Sequence, residues 1–311
     1  MLILNKKKTE INTKRRNDLI FYSLVLIVPM IHYCIFYIAV NFNSIIMAFQ
    51  HLDFAGRSQG FAGFKYFEDV FHDLANTESL IYAFGNSFLA YGVSLVVGIP
   101  LALLFSYYVA KKFVGHKVFS IFLFLPSILP GFSLTMIYQN IVDNSLPLFL
   151  LEMGVELKPL MQNEATAFGA VLFFSLWASF GSNILLYVGA MRGISDSIIE
   201  AAELDGAVGF KEFIYISLPL IYPTIVTFIV VGVAGIFTNQ LSLFNFFSAG
   251  LWSKPHLQTF GYFMYTGIYL AEGNFSEYPY YSAMGLIFTF IAAPLTFGLR
   301  ALLEKIGPSA D

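Results

Sequence analysis

Long apolar runs alternate with short polar segments along the chain. Six of the runs have bilayer length: about Leu19–Phe42, Ile81–Ala110, Val118–Val142, Ala165–Val188, Ile221–Leu243 and Ser282–Leu303. A helix rises about 1.5 Å per residue, so roughly 20 apolar residues cross the hydrocarbon core. The pattern therefore predicts an all-α integral membrane protein with six transmembrane helices. The second run is long enough to tilt or to extend beyond the core. The first sits where a secretory signal would, but it is too long for one and no small-residue cleavage site follows it, so a retained helix is expected. The expected organisation is a basic tail over residues 1–18 and a single membrane domain over 19–311.

Composition agrees with that reading. Hydrophobic residues make up 57% of the 311, only 12% are charged, and the mean hydropathy is +0.70. Soluble domains carry about 25% charged residues. The single cysteine, Cys34, excludes an intramolecular disulfide framework. Of the 17 Lys and Arg residues, Arg57, Lys65, Lys158 and Lys254 fall on one side of the six-span topology and the other thirteen on the opposite side. The positive-inside bias places both termini and the segment of about 192–219 in the cytoplasm. No Gly-rich phosphate loop, metal-spaced His/Cys cluster or nucleophilic triad is present in the sequence, so no catalytic residue, metal site or resident cofactor is expected. The basic tail reads as a topology anchor rather than a nucleic-acid site.

The segment between the fourth and fifth runs is built to form two short helices. Ser197 and Glu200 have capping-box spacing. Ala201 and Ala202 favour a short helix that can approach another surface closely. Gly206, after Asp205, suits a left-handed turn at a helix end. Phe210, Phe213 and Ile214 give a second helix an apolar stripe, and Pro219 marks its end or a kink. The full pattern is Glu200-Ala201-Ala202, three residues, Gly206, nine residues, Ile216-Ser217-Leu218-Pro219. It resembles the coupling loop of permease subunits of binding-protein-dependent ABC importers, of the oligosaccharide/maltose type. Trp177, Ile194 with Asp196, and the aromatic segment Phe61–Phe67 with Phe71 are similar to members of that family. One departure stands out: the family's Gly-Gly-Pro-type turn after the fifth span is replaced by Ser248–Pro255.

The resemblance implies a type I ABC importer permease fold in a bacterial or archaeal-type inner membrane. It implies a second homologous permease subunit, two cytoplasmic ATP-binding subunits that bind ATP and Mg, and an extracytoplasmic solute-binding protein, with lipid around the spans. The ATPase-docking residues would be Glu200, Ala201, Ala202, Asp205, Gly206 and Phe210. A surface helix-turn-helix packed only on its own membrane domain is the competing reading of that loop.

Inside the spans, as segmented, no Asp, Glu, Lys or Arg lies away from the ends, and His32 is the one interior ionisable side chain. Intramembrane charges mark ion and proton relays, so an ion-coupled transporter is disfavoured. Polar uncharged residues are present instead. Ser175, Ser179 and Ser182 recur on one helix face with Asn183 beside them, and Thr238 and Asn239 end the fifth span. Such groups bond a neutral polyol without a countercharge, and small serines equally permit close helix packing. A sugar or oligosaccharide permease is expected. A permease for a polyamine, metal chelate or amino acid, and a non-transport scaffold, are the alternatives.

Overall fold

A computed structural model describes residues 18–248, 250 and 254–308. Residues 1–17 of the basic tail and half of the Ser248–Pro255 turn lie outside the described residues. The chain divides into two units. One comprises residues up to Glu68 with Gly273–Leu286, and the other comprises Asp69–Glu272 with the residues from Ile287 on.

In the first unit the Asp18–Met47 helix is apolar, with no buried residue in its most hydrophobic stretch. His32 lies midway along this helix, exposed on the single chain, with its ring 4.8 Å from Phe36. After the helix the chain forms an antiparallel hairpin, β1 (Gln50–Leu52) with β2 (Ser58–Phe61). Asp53 holds its turn by accepting from the Arg57 amide at 2.7 Å and the Gln59 side chain at 3.0 Å. The aromatic segment closes over the hairpin's start, with Phe49 5.6 Å from Phe64 and 5.1 Å from Phe67.

The second unit holds the helices Glu78–Ala110, Glu164–Arg192 and Tyr222–Thr238, the last extended by a broken turn to Phe247. Among the described residues, these with Asp18–Met47 and Phe275–Ile306 make five helices long and apolar enough to cross a membrane. The third expected span, Val118–Val142, is not one straight helix. It is a pair of helices, His116–Ile128 and Gly131–Glu152, bent by 108°, and the pair is apolar enough to count as a sixth span if it crosses as one. Pro130 has no N–H to continue the first helix, and the residue before a proline is pushed out of the helical region. Leu129 is accordingly extended, at φ −77° and ψ 143°. The second helix of the pair carries Asp143 into the interior, where it accepts the Met161 amide at 2.8 Å. An acidic group inside this element was not expected.

Two buried clusters hold the unit together. Around Phe174, Val171, Tyr138 and Leu257 aromatic rings dominate, with Phe174 4.9 Å from Phe246. Around Ile184, Tyr187, Ala102 and Phe213 the C-terminal third of Glu164–Arg192 meets the end of Glu78–Ala110. Small residues allow the close approaches that membrane helices use. A Cβ on Gly181 would lie 2.9 Å from Ser127 Oγ, and one on Gly261 would run into the Thr238 carbonyl and lie 2.7 Å from Asn239 O.

Gly261→Ala must therefore move backbone rather than a flexible side chain. We expect it to destabilise the protein by about 1–3 kcal/mol. Gly189→Ala, where an added Cβ meets nothing within 4 Å, is expected to be neutral or slightly stabilising. Thermal unfolding of the detergent-purified variants checks the pair, and equal melting temperatures would contradict the packing described.

Candidate functional site

The second unit encloses a cavity of about 400 Å³ between Glu78–Ala110, Glu164–Arg192 and the end of Tyr222–Thr238. Its polar wall is Ser87, Tyr91, Ser94, Ser175, Ser179, Asn239, Ser242 and Thr259, and among the described residues no Asp, Glu, Lys, Arg or His lines it. The cavity exists because the last of these helices breaks. Leu241 and Ser242 take positive φ angles of 50° and 60°. Asn239 supports the break by accepting the Leu241 amide on Oδ1 at 2.8 Å. Ser175 donates to Leu241 O at 3.0 Å, and Thr259 donates to Asn239 O at 3.0 Å. Irregular backbone at membrane depth is tolerated where protein or a polar cavity satisfies it, and here side chains do so.

The six polar residues singled out from the sequence do not all converge. Ser175, Ser179 and Asn239 stand in the wall. Ser182 is exposed and donates to Ser179 O at 3.2 Å, and Thr238 is exposed and donates to Ala234 O at 3.1 Å. Asn183 is half-buried outside the wall. Conversely, Ser94 and Ser242 were missed. Their hydroxyls line the cavity and make no side-chain hydrogen bond within the chain, whereas the Ser179 proton is held by Leu176 O at 3.0 Å. Ser94 shares i, i+4, i+7 spacing with Ser87 and Tyr91, a signal that could have found it, whereas Ser242 lies past the helix break where helical spacing no longer applies.

The loop after Arg192 has two arms. The first is the Asp196–Leu204 helix, with Ser195 as N-cap. The expected Ser197–Glu200 capping box does not form. The helix starts one residue before Ser197, whose hydroxyl pairs with Ser195 Oγ at 2.6 Å. Glu200 and Ala201 are exposed while Ala202 is buried. The helix closes as a Schellman turn: Gly206 at φ +78° donates to Glu203 O at 3.0 Å, and Ala207 donates to Ala202 O at 2.8 Å. Beyond it Leu204, Val208 and Phe210 are exposed apolar tips, Leu204 at 90%.

The second arm, 210–220, is anchored. Glu212 is buried and pairs with Lys111 at 2.7 Å. Its carboxylate also accepts from the Tyr107 hydroxyl at 3.1 Å and from Ser217 Oγ at 3.3 Å. The Tyr107 hydroxyl reaches Gly209 O at 2.8 Å as well, and the Tyr107 ring lies 4.9 Å from Phe213. Lys111 caps the C-terminal end of Glu78–Ala110, where a cation complements the helix dipole. A polar cleft of about 320 Å³, lined by Lys112, Arg192 and Asp196 among others, adjoins the pair. Among the described residues no group of three or more His, Cys, Asp or Glu could hold a metal.

Removing one partner of a buried pair leaves the other charge uncompensated, whereas replacing both with apolar groups is close to neutral. Glu212→Ala leaves a lysine that is 27% exposed and is expected to cost about 1–3 kcal/mol, and Lys111→Met with Glu212→Leu less. Unfolding of the detergent-purified variants reads this, and a double variant no more stable than Glu212→Ala would contradict it.

Residues 94–310 match the family described as binding-protein-dependent transport system inner membrane component. The arabinooligosaccharides transport system permease protein AraP of Bacillus subtilis (strain 168) is 25% identical over 203 residues, 64% of this chain and 63% of that protein. The chain thus spans less than two thirds of that relative's length. The multiple sugar-binding transport system permease protein MsmF of Streptococcus mutans is 27% identical over 286 residues, 90% of this chain and 93% of its own. A solved bacterial ABC transporter involved in the import of the acidic polysaccharide alginate superposes with a TM-score of 0.74 at 18% identity, over 96% of this chain and 99% of that one. That likeness fixes the fold. With the family match covering more than half of the chain, the protein belongs to the inner membrane components of binding-protein-dependent transport systems, with several membrane-length helices and a type I permease fold.

Proposed function

We propose that this chain forms half of the translocation path for a neutral sugar or oligosaccharide, and that its 192–219 loop docks on a cytoplasmic ATP-binding subunit. The observation that carries the solute class is the cavity wall, which is rich in hydroxyl groups, includes the Asn239 amide and, among the described residues, has no charged side chain. Carbohydrate hydroxyls pair with such groups without a countercharge, whereas an acidic sugar would bring an unpaired charge into the membrane interior. The sugar-transport names of AraP and MsmF agree with this class.

Docking is supported by the loop's free arm: Glu200 is exposed on a short helix whose end presents Leu204, Val208 and Phe210. Ala201 and Ala202 keep that helix slim, and Asp205 and Gly206 turn the chain. Thirteen of the 17 basic residues support a cytoplasmic loop and termini. ATP and Mg would belong to the docked subunits, a second permease subunit would complete the path, and a solute-binding protein would deliver the sugar from the other side.

Ser179→Leu, filling the cavity, is expected to abolish uptake of labelled neutral oligosaccharides while leaving basal ATP hydrolysis in place. Single alanine changes at Ser94, Ser175 or Ser242 should lower apparent affinity by up to about tenfold, the worth of one hydrogen bond. Uptake in cells lacking the native subunit, with an acidic uronate trisaccharide as comparison, measures both. Normal uptake by Ser179→Leu, or equal uptake of the acidic sugar, would contradict the reading.

Glu200→Lys is expected to leave the subunit inserted and to weaken copurification of the ATP-binding subunit by roughly tenfold or more. Gly206→Val should do the same through backbone strain alone, since nothing lies within 4 Å of an added Cβ at φ +78°. Undiminished copurification in both variants would make the loop a passive connector.

A further inference from the structure

The two arms of the loop are held very differently. The Asp196–Leu204 arm buries one residue, Ala202. The 210–220 arm buries Glu212, Phe213 and Ser217 and is tied to Lys111 and Tyr107 at the end of the Glu78–Ala110 helix. That same helix carries Ser87, Tyr91 and Ser94 in the cavity wall. From Lys111 back to Ser94 it spans roughly 25 Å at the rise of a helix. A π-turn, Ser94–Gly98, lies where the helix enters the cavity, the kind of local adjustment that recurs at functional sites.

We propose that the Lys111–Glu212 pair is a transmission link, which converts displacement of the loop into displacement of the Glu78–Ala110 helix and so into a change of cavity access. This rests on the docking reading above. The link suits the task because it is directional. Glu212 uses both carboxylate oxygens, Oε1 toward Lys111 and Ser217 and Oε2 toward Tyr107, so the arm cannot slide along the helix end without breaking charge-assisted bonds. An apolar contact in the same place would hold the arm non-directionally and permit slip. Lys111 and Glu212 are thus positioning residues, remote from solute and nucleotide.

The test uses the whole importer, copurified with its partner subunits in nanodiscs, in a Cys34→Ser background with Ala178→Cys, a cavity-lining position given no solute contact, as the reporter. Maleimide labelling is followed with and without ATP plus vanadate. The parent and Lys111→Arg should show an ATP-dependent change in labelling rate of about tenfold, in the usual range of coupling between sites. Glu212→Gln and the double Lys111→Met with Glu212→Leu should retain the ATP-binding subunit and lose that change. The double variant separates transmission from folding, because it removes both charges together. Should Glu212→Gln fail to fold, the double variant decides.

A full ATP response in the double variant, or in a folded Glu212→Gln, would overturn the link and leave the pair structural. Loss of the ATP-binding subunit from both would also overturn it, since the pair would then build the docking surface instead. A parent that holds its ATP-binding subunit yet shows no response would sink the access reading and the link together. Failure of the docking reading is distinguishable: it is read from Glu200→Lys copurification, which does not involve the pair.

Discussion

The Lys111–Glu212 pair is where the polar loop and the apolar helices of this protein are joined. A carboxylate that is almost fully buried is costly unless its lone pairs are occupied, and here a lysine, a tyrosine and a serine occupy them. Because the cost of an unpaired charge is steep, the 210–220 arm has one well-defined seat on the end of the Glu78–Ala110 helix. The rest of the loop follows from that seat. Gly209 takes a backbone conformation, φ 59° and ψ −122°, that suits glycine, and its carbonyl is then held by Tyr107. The Schellman turn at Gly206 reverses the chain into the free arm, which leaves Glu200 and Leu204 in the open.

The cavity depends on a comparable compromise at the other end of the same helices. A span that ran unbroken past Thr238 would pack against Glu164–Arg192 and leave no polar chamber. Breaking it exposes backbone groups that lipid cannot satisfy, and Ser175, Asn239 and Thr259 satisfy them from three directions. Those side chains are therefore partly engaged in holding the break. The wall residues not engaged in that way are Ser94 and Ser242 foremost.

The spans were legible in the sequence because bilayer thickness imposes a length that few other elements need, and the Glu164–Arg192 helix lies close to its expected range. The bend at Leu129–Pro130 was not, since apolar residues continue across it and a proline does not itself locate a bend: Pro126 stays inside its helix. Within the loop, Gly206 was readable because a left-handed helix end strongly favours a residue without Cβ. The capping box failed by a small offset, a helix beginning one residue earlier than Ser197. The pairing of Lys111 with Glu212 left no local trace, because neither residue lies near the other in sequence and only tertiary packing of the two helix ends brings them together. For the serines, helical spacing identified a shared face but not where along the helix the cavity opens, so Ser182 was grouped with Ser175 and Ser179.

The central claim is that the free arm meets an ATP-binding subunit from the cytoplasmic side. Leu204, apolar, 90% exposed and at the end of that arm, is the position to probe. A photo-crosslinking amino acid placed at Leu204 in living cells tests the claim most directly. The account predicts a crosslinked species that contains an ATP-binding subunit and no reaction of this position with impermeant reagents applied outside. Crosslinks to lipid or to this chain alone, or labelling from outside, would contradict it.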